Sequence, residues 1–357
     1  MTFRNTARRR GTLALVAAAA VLSAALYVGM AQAGGKQHRD GRGGRTYTIG
    51  LFGDMPYNDL GRSQYPALLN SINDAHVAFS IFDGDLKSGG DGPCADSLYT
   101  TSIANFNRLR QPLVWVPGDN DWTDCWGRYG PGTAPYSDPI ERLQHERHLF
   151  ASTSQSLGQR TLKLTRQSGY PENVRWVYGP VVYIGLNVQG SNDNYPYHDT
   201  DAENPTAPIR SDAEIQRQRD EETARKQAVL AWLDQGFQYA NRIGAKGVLI
   251  DWQADPNFNN EQHLTNPHDY DAYADYVDAV RSETEAFDGQ VALVHGDSHY
   301  FKVDKPLNRS SGGGVLANFT RVETFGARNT HWVSATIDPR NPNLFVFEPQ
   351  IVPANTG

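Results

Sequence analysis

The sequence lacks an excess of basic residues, internal repeats and a second linker. Its 33 Lys and Arg are outnumbered by 40 Asp and Glu, which gives a formal net charge of -7. That balance excludes binding to a nucleic-acid backbone through bulk basic charge. Because no composition break follows the N-terminal region, residues 46–357 are predicted to form a single domain.

The N-terminus has the layout of a secretory signal peptide. Arg8–Arg10 precede an apolar run, Thr12–Met30, which ends at Ala31-Gln32-Ala33, with small residues at both alanine positions. An uncleaved membrane anchor is the alternative, since the run is long enough to span a bilayer. We expect cleavage after residue 33, a flexible linker over residues 34–45 that is rich in Gly and basic residues, and no stable membrane insertion of the mature chain. The protein is therefore predicted to be secreted or periplasmic.

The chain is also poor in cysteine. Cys94 and Cys125 are its two cysteines, so it can form at most one internal disulfide. Since an exported protein matures where thiols oxidise, we expect these two residues to be bridged. Two separate buried thiols are the alternative.

Short runs rich in β-branched and aromatic residues alternate with helical stretches, which is typical of an α/β fold. The predicted strands are 47–52, 77–82, 113–116, 174–178, 181–186, 246–250, 291–294, 315–319, 332–337 and 344–347, and the predicted helices are 65–75, 97–109, 139–150, 212–242 and 270–287. Gly179-Pro180 indicates a hairpin between two of the strands. A two-layer β-sandwich flanked by helices fits this order, and ligands in such sheets bind beyond the carboxyl ends of the strands.

Gly-Asp pairs follow the first three predicted strands, and a fourth Gly-Asp follows a later one. The pairs are Gly53-Asp54, Gly84-Asp85, Gly118-Asp119 and Gly296-Asp297. A single Gly-Asp after a strand is most simply a turn. Four carboxylates converging on one sheet edge would repel one another strongly unless a cation lay between them. The pattern therefore predicts a metal site.

In their order, these motifs resemble those of the calcineurin-like metallophosphoesterases, a family with a four-layer αββα fold. The matching segments are Gly53-Asp54-Met55-Pro56-Tyr57, Asp83-Gly84-Asp85, Pro117-Gly118-Asp119-Asn120-Asp121, Asp251-Trp252-Gln253 and His295-Gly296-Asp297-Ser298-His299. Order and strand context match over nearly the whole mature chain, while residue identity matches only in part.

The resemblance implies two divalent metal ions. Its predicted ligands are Asp54, Asp85, Asp119, Gln253, Asp297 and His299, with Asp85 bridging both ions. Pro56 stands where the family has a ligating His, so Tyr57 or Asn58 would have to take that place. Oxygen ligands favour Mg, Mn or Ca at one position, whereas the position with His299 could take Mn, Fe or Zn.

The resemblance also implies a catalytic group that this sequence replaces. Asn120 occupies the place of the catalytic His, and an amide cannot act as a general acid. Asp121 is expected to orient Asn120 or to cap the following turn, and His295 is a candidate proton donor. The aromatic residues nearby, Trp122 and Trp252 among them, could form a substrate wall or simply pack.

The predicted function is that of an exported hydrolase that cleaves a small-molecule phosphomonoester or phosphodiester through a hydroxide generated at two cations. Extra carboxylates make the centre less electropositive, which favours a diester or a neutral ester over a dianionic monoester. Two alternatives remain open. One is a degenerate member of the fold that binds without catalysis, and the other is a metal-dependent hydrolase of a non-phosphate ester.

Overall fold

The computed structural model describes residues 44–90, 93–125, 138–196, 211–256, 258 and 271–356. All of them belong to one compact unit, Gly41–Gly357. The predicted signal peptide and nearly all of the predicted linker lie outside the described residues. Within the described part of the chain, no helix is both long enough and apolar enough to cross a membrane.

Twelve strands and six helices are found among the described residues. The strands are β1 Tyr47–Phe52, β2 Ser80–Phe82, β3 Leu113–Trp115, β4 Thr165–Gln167, β5 Tyr170–Tyr178, β6 Val181–Gly185, β7 Gly247–Asp251, β8 Gln290–His295, β9 Lys302–Asp304, β10 Phe319–Glu323, β11 Trp332–Ile337 and β12 Phe345–Gln350. The helices are α1 Asp59–Asp74, α2 Asp96–Phe106, α3 Pro139–Phe150, α4 Gly190–Asp193, α5 Asp212–Ile243 and α6 Ala274–Ala286.

The strands form two mixed sheets. The five-stranded sheet has the order β12-β11-β1-β2-β3, and the seven-stranded sheet has the order β4-β5-β6-β7-β8-β10-β9. Strands β1, β2 and β3 are parallel, as are β6, β7, β8 and β10. Parallel pairing aligns the carboxyl ends of these strands at one edge of each sheet.

Side-chain alternation along the central strands gives each sheet two buried faces. On β7, Leu249 faces the other sheet, while Val248 and Ile250 pack toward α5 and α6. On β3, Val114 faces the other sheet, and Leu113 packs on the side of α1, α2 and α3. The result is the predicted arrangement of helices, sheet, sheet and helices.

Most predicted elements are found, although several bounds differ, and β4, α4 and β9 are not among the predicted elements. Strand β2 begins at Ser80 instead of residue 77, and β5 begins at Tyr170 instead of residue 174. Helix α1 begins six residues earlier than expected, because the Asn58 side chain caps it by accepting from Gly61 N at 2.8 Å. The predicted strand at 315–319 is wrong: the strand there is β10, which pairs with β8 from Phe319 onward. The hairpin at Gly179-Pro180 and the Cys94–Cys125 disulfide are confirmed.

Candidate metal centre

Four predicted aspartates meet at the carboxyl ends of the parallel strands. Asp54 follows β1, Asp85 follows β2, Asp119 follows β3 and Asp297 follows β8. The first three are buried, and Asp297 is partly exposed. They are called the acidic cluster below.

Neutral donors bind the carboxylates of Asp54 and Asp85. The Tyr57 hydroxyl lies 2.6 Å from Asp85 Oδ2 and 3.1 Å from Asp54 Oδ1. The Asn120 side-chain amide donates to Asp85 Oδ2 at 2.5 Å and lies 3.1 Å from the Tyr57 hydroxyl, while the Asn120 backbone N–H donates to Asp85 Oδ1 at 3.0 Å. The Tyr57 hydroxyl thus serves both carboxylates as a hydrogen-bond donor.

Gln253 connects Asp119 with Asp297. Its side-chain nitrogen lies 3.1 Å from Asp119 Oδ1 and 3.4 Å from Asp297 Oδ1, and its side-chain oxygen accepts from Gly190 N at 2.5 Å. Since the oxygen is held by the backbone, Gln253 presents a donor to the carboxylates. The predicted ligand is therefore placed as a positioning residue in this structure.

The segment that carries α4 closes the cluster from the side of β6. Ser191 Oγ lies 2.8 Å from Asp119 Oδ2 and 2.6 Å from Asp124 Oδ1. A Cβ atom on Gly190 would lie 2.6 Å from Asp119 Oδ2, so a side chain here would require the Asp119 carboxylate to shift. Ser191 did not emerge from the sequence, because no Gly-Asp pair or known motif marks its position.

His299 joins the cluster through Asp54. Its Nε2 lies 3.3 Å from Asp54 Oδ1, and the backbone N–H of Asp297 donates to Asp54 Oδ2 at 3.0 Å. Burial lowers the pKa of His299, but the hydrogen bond and the negative charge of Asp54 raise it overall. The Asp54 carboxylate thus shifts the His299 equilibrium toward the imidazolium form.

Asp121 has a structural position next to the cluster. Its carboxylate accepts from Leu86 N at 2.6 Å, Asp85 N at 3.1 Å and Gly118 N at 3.3 Å. Burial raises the pKa of Asp121 to about 6, against the effect of these hydrogen bonds. Asp121 thus fixes the two loops that carry Asp85 and Asp119, rather than capping the turn that follows it.

His295 is placed as a core residue. It is fully buried, its Nδ1 lies 2.9 Å from Gly296 O, and its Nε2 has no hydrogen-bond partner among the described residues. Burial lowers the pKa of His295 to about 4, so near neutral pH it is a neutral imidazole and lacks the imidazolium proton that a general acid donates. The structure gives no support to His295 as the proton donor.

Left-handed backbone conformations are concentrated at this site. Asp54, Asp85, Asp297 and His299 have φ values of 52, 66, 74 and 64°, and the four residues 191–194 have φ values between 49 and 64°. Non-glycine residues adopt this region rarely and at some cost, and such strain collects at functional sites. The geometry therefore holds these side chains in places that relaxed turns would not provide.

Mutual repulsion and burial govern the titration of the cluster. Burial raises the pKa of Asp119 to about 7, and the charge of Asp297 contributes further. Burial and the charge of Asp54 raise the pKa of Asp297 to about 7, and burial together with Asp119 and Asp54 raises the pKa of Asp85 well above its usual value. The cluster therefore holds more negative charge than its surroundings stabilise.

No lysine or arginine forms an ion pair with the acidic cluster among the described residues. The pair between His299 and Asp54 is the one that reaches it. Lys87 is buried nearby, and its positive charge lowers the pKa of Asp121, but its Nζ donates to Ser88 O at 3.0 Å. The cluster is thus gathered in three dimensions and left largely without counter-charge.

The donor set fits divalent cations in charge and chemistry. Carboxylate oxygens suit Mg, Mn and Ca, and His299 adds one nitrogen. The positions of these side chains fit a bound cation less well than their chemistry does. In the described parts of the chain, no three Asp, Glu, His or Cys side chains converge on one metal position. Tyr57, Asn120 and Gln253 direct neutral donors to the carboxylate oxygens, and these donors must give way if a cation is to bind.

The two large aromatic residues near the cluster are packing residues. Trp122 and Trp252 are fully buried. Trp126 and Tyr129, which also lie near the motifs in sequence, fall outside the described residues. The substrate wall that the sequence left open is thus not formed by these two tryptophans.

Comparisons by sequence found no match, either to a family model or to a curated protein. A comparison with solved structures found "Structure of PhoD", which is 11% identical with a TM-score of 0.46 over 82% of this chain. It also found GAP50, "the anchor in the inner membrane complex of Plasmodium", which is 8% identical with a TM-score of 0.43 over 86% of this chain. A third structure, 5'-nucleotidase from Candida albicans SC5314, is 10% identical with a TM-score of 0.39 over 86% of this chain. This chain spans 64% of the PhoD chain, 89% of GAP50 and 52% of the nucleotidase. At these identities and TM-scores the similarity carries no argument about the family or the activity of this chain.

Proposed function

We propose that this protein is an exported, metal-dependent phosphoesterase whose substrate is a small phosphoester. The observation that carries the proposal is the gathering of Asp54, Asp85, Asp119 and Asp297 without a lysine or arginine partner among the described residues. Buried carboxylates at such short range are stabilised by divalent cations. When bound, such cations polarise a phosphoryl group and lower the pKa of water.

The chain's own residues have separate tasks in this proposal. Asp54, Asp85, Asp119, Asp297 and His299 would hold the cations, with Asp85 central because it interacts with both Asp54 and Asp119. Once its hydrogen bond to Asp85 is released, the Asn120 amide is free to donate to a phosphoryl oxygen.

The supporting residues keep these groups in place. Gln253 and Ser191 orient the carboxylate of Asp119, and Asp121 holds the loops on either side. Four carboxylates keep the site less electropositive than one with neutral ligands, so a phosphodiester is preferred over a dianionic monoester.

The test combines metal analysis with turnover. We expect purified protein to contain Mg, Mn, Ca, Fe or Zn by elemental analysis, to lose it to a chelator, and to hydrolyse bis(p-nitrophenyl) phosphate faster than p-nitrophenyl phosphate. Asp85→Asn should lower kcat/KM by roughly 100-fold or more, because Asp85 would help to hold both cations. Asp338→Asn is the matched control, since Asp338 is paired with Arg340 on the surface. Equal turnover by Asp85→Asn and wild type would refute the proposal.

A binding protein without catalysis is the second candidate. It is favoured by the neutral donors of Tyr57, Asn120 and Gln253, which already bond the carboxylate oxygens. This candidate predicts neither bound metal nor hydrolysis of any ester. Metal-dependent hydrolysis of p-nitrophenyl acetate without phosphoester turnover would instead indicate a non-phosphate ester hydrolase.

A further inference from the structure

A cavity opens beside the acidic cluster. It has a volume of about 420 Å³, and its lining includes Tyr57, Asn58, His299, Arg328 and Asn329. Tyr57 and His299 also belong to the hydrogen-bonded network of the cluster. Any molecule that reaches the carboxylates from this side is therefore in contact with the cavity wall. The volume is within the range of small-molecule sites.

Arg328 supplies the permanent positive charge in this wall. Its side chain is exposed, and no hydrogen bond or ion pair engages its guanidinium among the described residues. Two other arginines already form ion pairs: Arg321 pairs with Asp304, and Arg62 pairs with Asp59. Arg328 is thus available to a ligand in a way that these residues are not.

The turn that carries Arg328 is held firmly against His299. A Cβ atom on Gly326 would lie 2.3 Å from His299 Cδ2, so the backbone packs directly on the imidazole ring. The backbone N–H groups of Arg328 and Asn329 both donate to Gly326 O, at 3.0 and 2.8 Å. Immediately before the turn, Phe325 stacks on Phe301 with ring centroids 5.1 Å apart. Arg328 therefore starts from a fixed backbone position next to the site.

An anionic substrate needs positive charge here. The acidic cluster repels a phosphoester, and even with cations bound its four carboxylates offset much of their charge. A guanidinium presents a planar fork of donors that matches two phosphoryl oxygens, and it stays charged at every relevant pH. Arg328 stands at the cavity that leads to the cluster and has no other partner there.

We propose that Arg328 is the anion-binding residue of the substrate site and pairs with the phosphoryl oxygens of the incoming ester. The inference deepens the proposed phosphoesterase function and rests on it for the identity of the ligand. It assigns recognition of charge to Arg328, so the residue governs binding of the phosphoester more than its subsequent turnover.

The experiment measures binding and turnover with the same variants. Binding of inorganic phosphate is measured by calorimetry on wild type, Arg328→Gln, Arg328→Lys and the control Arg340→Gln. Arg340 is exposed and paired with Asp338 on the surface, so its loss changes the net charge equally. We expect Arg328→Gln to weaken phosphate binding about 10-fold or more, since bonds to charged groups are lost. Arg328→Lys should restore part of the affinity, and Arg340→Gln should leave it unchanged.

Kinetic measurements distinguish a failure of the Arg328 proposal from a failure of the phosphoesterase proposal. Arg328→Gln should raise KM for bis(p-nitrophenyl) phosphate about 10-fold with kcat within a few-fold, and should leave binding of the neutral ester p-nitrophenyl acetate unchanged. If Asp85→Asn abolishes turnover while Arg328→Gln matches wild type in KM and phosphate affinity, the inference is wrong and the phosphoesterase proposal stands. If no ester is hydrolysed but phosphate binding falls only in Arg328→Gln, the anion site stands and the hydrolytic proposal fails.

Discussion

Replacing Asp119 by Asn removes one buried charge while keeping the hydrogen bonds of the site. Asp119 Oδ1 accepts from Gln253, and an Asn oxygen there does the same. An Asn nitrogen at the other position can donate to Ser191 Oγ, whose own hydrogen then goes to Asp124 at 2.6 Å. The substitution is therefore close to isosteric, and its main effect is electrostatic.

The magnitude follows from the shifted pKa of Asp119. Burial first, and then repulsion from Asp297, raises this pKa from 3.8 to about 7 in the folded chain. The folded chain therefore keeps a proton that the unfolded chain has released between about pH 4 and pH 7. Its free energy of unfolding accordingly falls as pH rises through that window. A shift of about three units corresponds to roughly 4 kcal/mol above pH 7, and coupling to Asp297 reduces the share of Asp119 to about 2–4 kcal/mol.

We expect Asp119→Asn to be more stable than wild type by about 2–4 kcal/mol at pH 8 in the presence of chelator, and to differ by little at pH 5. For a chain of this size that corresponds to a rise in Tm of roughly 4–8 °C. Denaturant unfolding and Tm measured at both pH values provide the test. Adding Mn²⁺ or Mg²⁺ should stabilise wild type at pH 8 and the variant much less, because a ligand is missing.

Asp338→Asn is the control for this experiment. Asp338 is half-buried at the surface, and the Arg340 guanidinium lowers its pKa, so its loss should destabilise slightly at most. The reasoning is refuted if Asp119→Asn destabilises equally at pH 5 and pH 8. It is also refuted if the pH profiles of wild type and variant run in parallel.

Three further expectations concern residues around the cluster. Tyr57→Phe removes the hydroxyl that donates to Asp54 and Asp85, so these carboxylates are freer to bind a divalent cation. Cation affinity measured by calorimetry should therefore rise several-fold. Weaker affinity would instead show that Tyr57 is a ligand. Gly326→Ala places a methyl group against His299, so we expect the free energy of unfolding in denaturant to fall by roughly 1–3 kcal/mol. Phosphodiester turnover should also be slower. Unchanged values would contradict the close packing of Gly326 on His299. Replacing Cys94 and Cys125 by Ala opens a bridge between residues 31 apart, and stability should fall by roughly 3–4 kcal/mol, with reduction of wild type giving the same fall.

Local pattern was sufficient to predict most of the elements and the convergence of the acidic cluster. Strand β1 and helix α3 have the predicted bounds, because a short run of β-branched and aromatic residues and a helix capped by the nearby Asp138 are local features. Each Gly-Asp pair lies directly after a strand, and parallel strands end at one edge. The meeting of Asp54, Asp85 and Asp119 therefore follows from chain order and sheet topology.

Only the tertiary structure decided which partners surround these carboxylates. Ser191 reaches Asp119 across 72 positions of sequence, and the side chain of Gln253 turns its nitrogen to the carboxylates because its oxygen meets Gly190. The burial of His295 and the position of Arg328 beside His299 likewise depend on how the loops pack. Local propensity and hydrophobic periodicity determine where a strand ends, and therefore which residues follow it. Contacts between loops depend on the summed packing of distant segments, which no local pattern records.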